Sequence, residues 1–168
     1  MKQYLTWAEI DLNAIRYNFR VLRKLAGTAK ILTVIKADAY GHGMLPVAKL
    51  LVQEKVDFIG LSNLNEGITL RKAGIKTPVL LFETTLAEQA QNIIDYELTP
   101  TVCTYELAAA LNRYAQKRRR MLDIHVKVDT GMGRLGLWDQ ETPAFMNKIR
   151  LLRNLRVQGI YTHFPVAD

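Results

Sequence analysis

Lys36 closes the apolar run Ile31-Leu32-Thr33-Val34-Ile35, where a buried strand is expected to end. An ammonium there is costly to bury unless it is paired or chemically used. Burial lowers a lysine's pKa, and the neutral amine can condense with an aldehyde. The residues that follow are Ala37-Asp38-Ala39-Tyr40-Gly41-His42-Gly43. Their glycines let the backbone come close to a ligand, and Tyr40 offers a hydroxyl beside them. The plainer alternative is an edge lysine reaching solvent ahead of a glycine turn. A second lysine, Lys127, lies inside Ile124-His125-Val126-Lys127-Val128, again a buried charge unless paired or modified. Two residues later begins Asp129-Thr130-Gly131-Met132-Gly133-Arg134-Leu135-Gly136, which combines backbone freedom, exposed N–H groups and the anion fork of Arg134. His163, in Tyr161-Thr162-His163-Phe164, is either a site residue or a neutral imidazole satisfied by a carbonyl. No trio of His, Cys or carboxylates has metal-ligand spacing, and no nucleophile elbow or Cys/His pairing points to acyl transfer.

These residues fall at the ends of short apolar runs that alternate with helical patterns. Strands are predicted over Ile31–Lys36, Phe58–Ser62, Val79–Phe82, Thr99–Cys103, Ile124–Asp129 and Gln158–His163. Apolar stripes predict helices along Leu12, Ile15, Phe19, Leu22 and Ala26, along Leu86, Ala90, Ile93 and Ile94, along Leu107, Leu111 and Ala115, and along Phe145, Ile149 and Leu152. Thr85 and Glu88 have capping-box spacing at the start of the second stripe. Pro46 and Pro143 sit near helix starts, where a missing N–H does no harm. Strand–helix alternation implies an α/β fold of parallel strands joined by right-handed crossovers. An open doubly wound sheet and a (β/α)8 barrel satisfy that pattern equally, although no GxGxxG or P-loop is present. Lys36, Lys127, Asp129 and His163 lie late in their predicted strands, which in a barrel is the catalytic face.

Composition sets outer bounds. Of the 168 residues 49% are apolar and 23% charged, ordinary for a folded globular chain. No stretch has the apolar length of a membrane span, and the start of the chain lacks a signal-peptide pattern. A lone cysteine, Cys103, excludes an internal disulfide framework and suits a reducing cytoplasm. The net charge of +7 admits an anionic partner, whether nucleic acid or a phosphate-bearing cofactor. The densest basic run, Lys117-Arg118-Arg119-Arg120, closes a predicted helix without interleaved aromatics. It therefore reads as a solvated helix end rather than a nucleic-acid surface.

Four segments, in order, resemble the alanine racemase family. They are Trp7-Ala8-Glu9-Ile10-Asp11-Leu12-Asn13-Ala14-Ile15, the Lys36 string, Lys127 to Gly136, and Thr162-His163-Phe164. The resemblance implies a (β/α)8 TIM-type barrel that binds pyridoxal 5'-phosphate (PLP), of which residues 1–168 would supply about the first six units. On this resemblance Lys36 holds PLP covalently and serves as base on one face of the substrate. Tyr40 contacts the cofactor phosphate. Arg134 approaches the phenolic oxygen of PLP and, with Met132, the substrate. Lys127 matches a lysine that can be carbamylated, giving Arg134 an anionic partner. His163 lies against the cofactor and orients an arginine facing the pyridine nitrogen. Asp38 stands where asparagine is commoner. The resemblance further implies racemisation of L- and D-alanine in a cytoplasmic homodimer that supplies D-alanine for peptidoglycan, with no metal, membrane or nucleic-acid partner. Serine or another amino acid as substrate, or a PLP-binding protein without racemase activity, are the alternatives. In the family the second proton group is a tyrosine of the partner's C-terminal β-domain, which this chain lacks along with the last two barrel units. The chain is thus expected to be truncated and inactive alone.

Overall fold

The computed structural model describes residues 6–167. Its elements run α1 (Leu12–Ala26), β1 (Leu32–Val34), α2 (Lys36–Tyr40), α3 (Met44–Gln53), β2 (Phe58–Leu61) and α4 (Leu64–Lys72). They continue with β3 (Val79–Thr84), a 3-10 turn (Ala87–Gln89), α5 (Ala90–Asp95), β4 (Thr99–Val102) and α6 (Tyr105–Lys117). Last come β5 (Leu122–Asp129), β6 (Leu137–Trp138), α7 (Thr142–Ile149) and β7 (Leu155–Tyr161). Strands β1, β2, β3, β4, β5 and β7 pair in that order, all parallel. This is the partial (β/α) barrel that the family resemblance implies, whereas the alternation alone left an open sheet equally possible. The two-residue β6 adds a parallel bridge at the end of β5, from Val128 to Leu137 and from Asp129 to Trp138.

The two faces of the sheet differ, as a barrel wall requires. Residues turned toward the helices, among them Ile59, Leu61, Val79, Leu81, Ile124 and Val126, are wholly buried. Helix residues Leu51, Leu70, Ile93, Leu111 and Ile149 complete that layer. Two buried faces explain why these strands read as continuous apolar runs rather than alternating ones. The concave face carries Val34, Phe58, Phe82, His125 and Tyr161, all half-buried. Six strands enclose that side only in part. Gly60 lies there because a Cβ would stand 2.5 Å from the Phe82 ring.

Several boundaries differ from expectation. β1 stops at Val34, because the backbone turns left-handed just after Lys36. The last strand begins at Leu155 and ends at Tyr161, which puts His163 in the loop beyond it. The helix expected from Leu86 opens as a 3-10 turn, with Leu86 N–H donating to Gln89 Oε1 at 3.0 Å. Thr85 does not cap it; the threonine is buried and its hydroxyl has no protein partner. Along α1 the stripe holds for Leu12, Ile15 and Phe19, whereas Leu22 faces solvent. The basic run is paired with acids, Arg118 with Asp95 at 2.8 Å and Arg120 with Glu97 at 2.9 Å. No described helix is long and apolar enough to cross a membrane.

Candidate active site

The C-terminal ends of β1, β3, β5 and β7 converge on a cavity of about 240 Å3. It is lined by Val34, Lys36, Tyr40, Phe82, Lys127, Arg134, Tyr161, Thr162 and His163. An adjoining cavity of about 380 Å3 shares Lys36, Phe82, Lys127 and Arg134 and adds Ser62, Glu83, Thr84 and Leu135. Five residues singled out in the sequence, Lys36, Tyr40, Lys127, Arg134 and His163, therefore line one cavity. Met132 does not join them; it sits in the same loop as Arg134, partly exposed.

Lys36 opens an unusual turn. Ala37, Asp38, Ala39 and Tyr40 all have φ between 50° and 55°, one turn of left-handed helix made without glycine. Left-handed backbone costs roughly 1–2 kcal/mol per L-residue, so other contacts must hold it. Ala39 N–H donates to Ile35 O at 2.9 Å, and Gly43 N–H to Asp38 O at 2.9 Å. Asp38 Oδ1 accepts from Met44 N–H at 2.6 Å and so ties the turn to the start of α3. His42 Nδ1 donates to Ala39 O at 2.9 Å. On the outer side, Ala37 N–H donates to Glu66 Oε1 at 2.8 Å.

Arg134 is placed by a different device. Asp129, buried at the end of β5, accepts from Gly131 N–H at 2.9 Å, Gly133 N–H at 3.0 Å and Arg134 N–H at 3.0 Å. These amides, led by that of Gly133, hold the Asp129 carboxyl below the usual carboxylate range. Asp129 is thus committed to shaping the loop rather than to proton transfer. The next residue, Thr130, bonds Thr162 at 2.8 Å, and Thr162 donates to Val128 O at 2.9 Å. That pair draws the His163 segment onto the end of β5.

The electrostatics favour an anion. Among the described residues no ion pair involves Lys36, Lys127 or Arg134. Lys127 is 5% exposed, and its ammonium lies 6.0 Å from the Tyr161 ring centroid. Burial, and next the Arg134 guanidinium, push the Lys127 amine below the ordinary lysine range, with Asp129 partly opposing. Glu83, on the adjoining cavity, is pushed up by burial and by the charge of Glu66. Tyr161, which the sequence reading passed over as a strand aromatic, stands beside Lys127. Thr101 Oγ1 gives its one proton to Leu81 O at 2.6 Å, so the Tyr161 hydroxyl donates to Thr101 at 2.7 Å. Burial pushes that phenol up to about 12.

A lysine at the strand end, cations without an ion pair among the described residues, a hydroxyl at the rim and aromatic walls fit a planar, phosphate-bearing cofactor. The family model described as alanine racemase, N-terminal domain, matches residues 10–168. The chain belongs to the alanine racemase N-terminal domain family. An alanine racemase of Halothermothrix orenii is 42% identical over 164 residues, covering 97% of this chain and 43% of that protein. The solved alanine racemase of Clostridium difficile superposes with a TM-score of 0.94 at 38% identity, over 100% of this chain and 44% of its own. The same enzyme in complex with cycloserine gives a TM-score of 0.92 at 37% identity, over 98% of this chain and 46% of its own. The chain thus spans less than half the length of these alanine racemases.

Proposed function

We propose that the whole protein interconverts L- and D-alanine with PLP attached to Lys36. The observation that carries this reading is the convergence of Lys36, Lys127, Arg134 and His163 on one cavity of an alanine racemase domain. Bound PLP supplies the electron sink that makes the substrate Cα–H acidic. Each remaining role falls to a side chain. Lys36 Nζ would hold the cofactor through its aldehyde, and as a free amine it would take or return the substrate Cα proton from one face. Tyr40 donates to the phosphate. Arg134 would place the phenolic oxygen and the substrate carboxylate, and His163 would pack on the ring; Met132, outside the cavity, takes no part.

Lys127 answers to a carbamate. Its amine is buried and pushed toward the neutral form. A neutral amine nitrogen can attack the carbon of CO2 and lose a proton, leaving one negative charge in place of a positive one. That charge would pair with Arg134 instead of repelling it. The opposite-face proton group is not Tyr161, whose phenol is committed to Thr101 and stays protonated to about 12. The resemblance to alanine racemases puts the second proton group outside residues 6–167, on which reading the chain alone is expected to be inactive. The same reading makes the working protein a cytoplasmic homodimer that feeds D-alanine to peptidoglycan.

A chiral assay of the whole protein with PLP and L-alanine tests the proposal. D-alanine should form, and Lys36→Ala should abolish it while circular dichroism stays unchanged. D-alanine production by Lys36→Ala at the parent rate would contradict the assignment.

A further inference from the structure

We infer that Glu66 is the residue that positions Lys36, by clamping the left-handed turn to the neighbouring strand–helix junction. Glu66 lies in the first turn of α4, at the third position after the N-cap Asn63. Asn63 Oδ1 accepts from Glu66 N–H at 3.1 Å, and Glu66 reaches back to Asn63 N–H at 3.4 Å. A capping box needs no more than this. The Glu66 carboxylate does more. Oε2 takes a stronger bond from Ser62 N–H at 2.7 Å, and Oε1 points the other way, to Ala37 N–H at 2.8 Å. One carboxylate thus joins the end of β2 to the residue that follows Lys36.

The bond to Ala37 matters because of where it falls. The Lys36–Ala37 peptide is the entry into four left-handed residues, none of them glycine. On the strand side, Ile35 N–H is fixed to Gly60 O at 3.0 Å. On the turn side, the Ala37 N–H is held by Glu66. With the amides of Ile35 and Ala37 both held, the backbone around Lys36 is restrained, and its side chain lines the cavity it shares with Lys127 and Arg134. Without Glu66 the strained turn can relax toward ordinary backbone and swing Lys36 away. A glutamine cannot substitute. Its single carbonyl oxygen serves either Ser62 or Ala37, and its amide group then faces an N–H with nothing to accept it.

This inference rests on PLP attachment at Lys36, and the test separates the two claims. In the whole protein, Glu66→Gln and Asn63→Ala are compared for PLP dissociation constant, for pyridoxyl label left on Lys36 by borohydride, and for melting temperature. Both variants weaken the start of α4, so both should lower the melting temperature. Only Glu66→Gln should weaken PLP retention, by about tenfold to a hundredfold, the value of one hydrogen bond to a charged acceptor. Asn63→Ala leaves the Ala37 bond intact and should hold PLP as the parent does. Parent-like PLP retention in Glu66→Gln, or equal weakening in both variants, would overturn the inference while Lys36 labelling of the parent still stands. A parent protein that is not labelled at Lys36 would overturn the PLP reading itself.

Discussion

Gly136 fixes the loop that carries Arg134, and replacing it with alanine should be far more damaging than the same change at Gly133. Both glycines have positive φ, +67° at Gly133 and +136° at Gly136. A Cβ at Gly133 meets nothing within 4 Å, so Gly133→Ala carries only the left-handed penalty, roughly 1–2 kcal/mol. At Gly136 a Cβ would stand 2.7 Å from Asp129 N and 2.9 Å from Val128 C. Those are backbone atoms of β5, pinned by the ladder, and they cannot step aside as a flexible side chain would. The glycine-only backbone region adds about 1–3 kcal/mol and overpacking a further 1–3 kcal/mol, giving about 2–6 kcal/mol for Gly136→Ala. Relief of the clash must push the loop off Asp129, breaking its bonds to the Gly131, Gly133 and Arg134 amides. Denaturant unfolding of both variants measures the gap, and PLP titration reads the displacement of Arg134. A Gly136→Ala cost no larger than that of Gly133→Ala would refute the close approach on which Arg134's placement depends.

Other expectations concern the buried ionisable groups. Lys127→Met should stabilise the protein in CO2-free buffer, because folding depresses the lysine's pKa and so disfavours its charged form. The unfolded chain binds that proton more readily, so the parent gains stability as pH rises from the depressed value toward about 10.4, and the variant's advantage should shrink over that range. Melting temperatures of both proteins against pH check this, and an advantage that grows with pH contradicts it. For Tyr161 the sign is opposite: the phenol's folded value is raised to about 12, so its contribution is full below the ordinary phenol value near 10 and is lost as pH rises through about 12. Ultraviolet titration should show a tyrosine that ionises late, and Tyr161→Phe should remove that signal. Supplied with bicarbonate, the parent should gain a carboxyl group that mass mapping places on Lys127; a peptide that never carries it counts against the carbamate.

The strands were legible in the sequence because they are buried on both faces, which makes continuous runs such as Val79 to Leu81 stand out. Helix α4 was harder to see. Its packing face includes Gly67, where a Cβ would meet Leu98 at 2.8 Å, and a glycine in that position reads as a breaker. The end of β1 was illegible for another reason. No propensity announces a left-handed turn built from Ala37, Asp38, Ala39 and Tyr40; it exists because Glu66 and Asp38 bond its flanks. Lys36 and Lys127 were visible because charge inside or just after an apolar run demands a partner, and Arg134 because an arginine in a glycine-rich loop offers an anion fork. Glu66 left only a faint trace, the Asn63-x-x-Glu66 spacing of a capping box. Tyr161 left none, since an aromatic in a strand is ordinary and its neighbours Thr101 and Lys127 come from strands remote in sequence.

The most direct test of the account is chemical trapping. The whole protein is loaded with PLP, reduced with borohydride and digested, and the pyridoxyl-bearing peptide is sequenced. The label is expected on Lys36, at the entrance to the left-handed turn. A label on Lys127 or any other lysine, or none at all, would contradict the central claim.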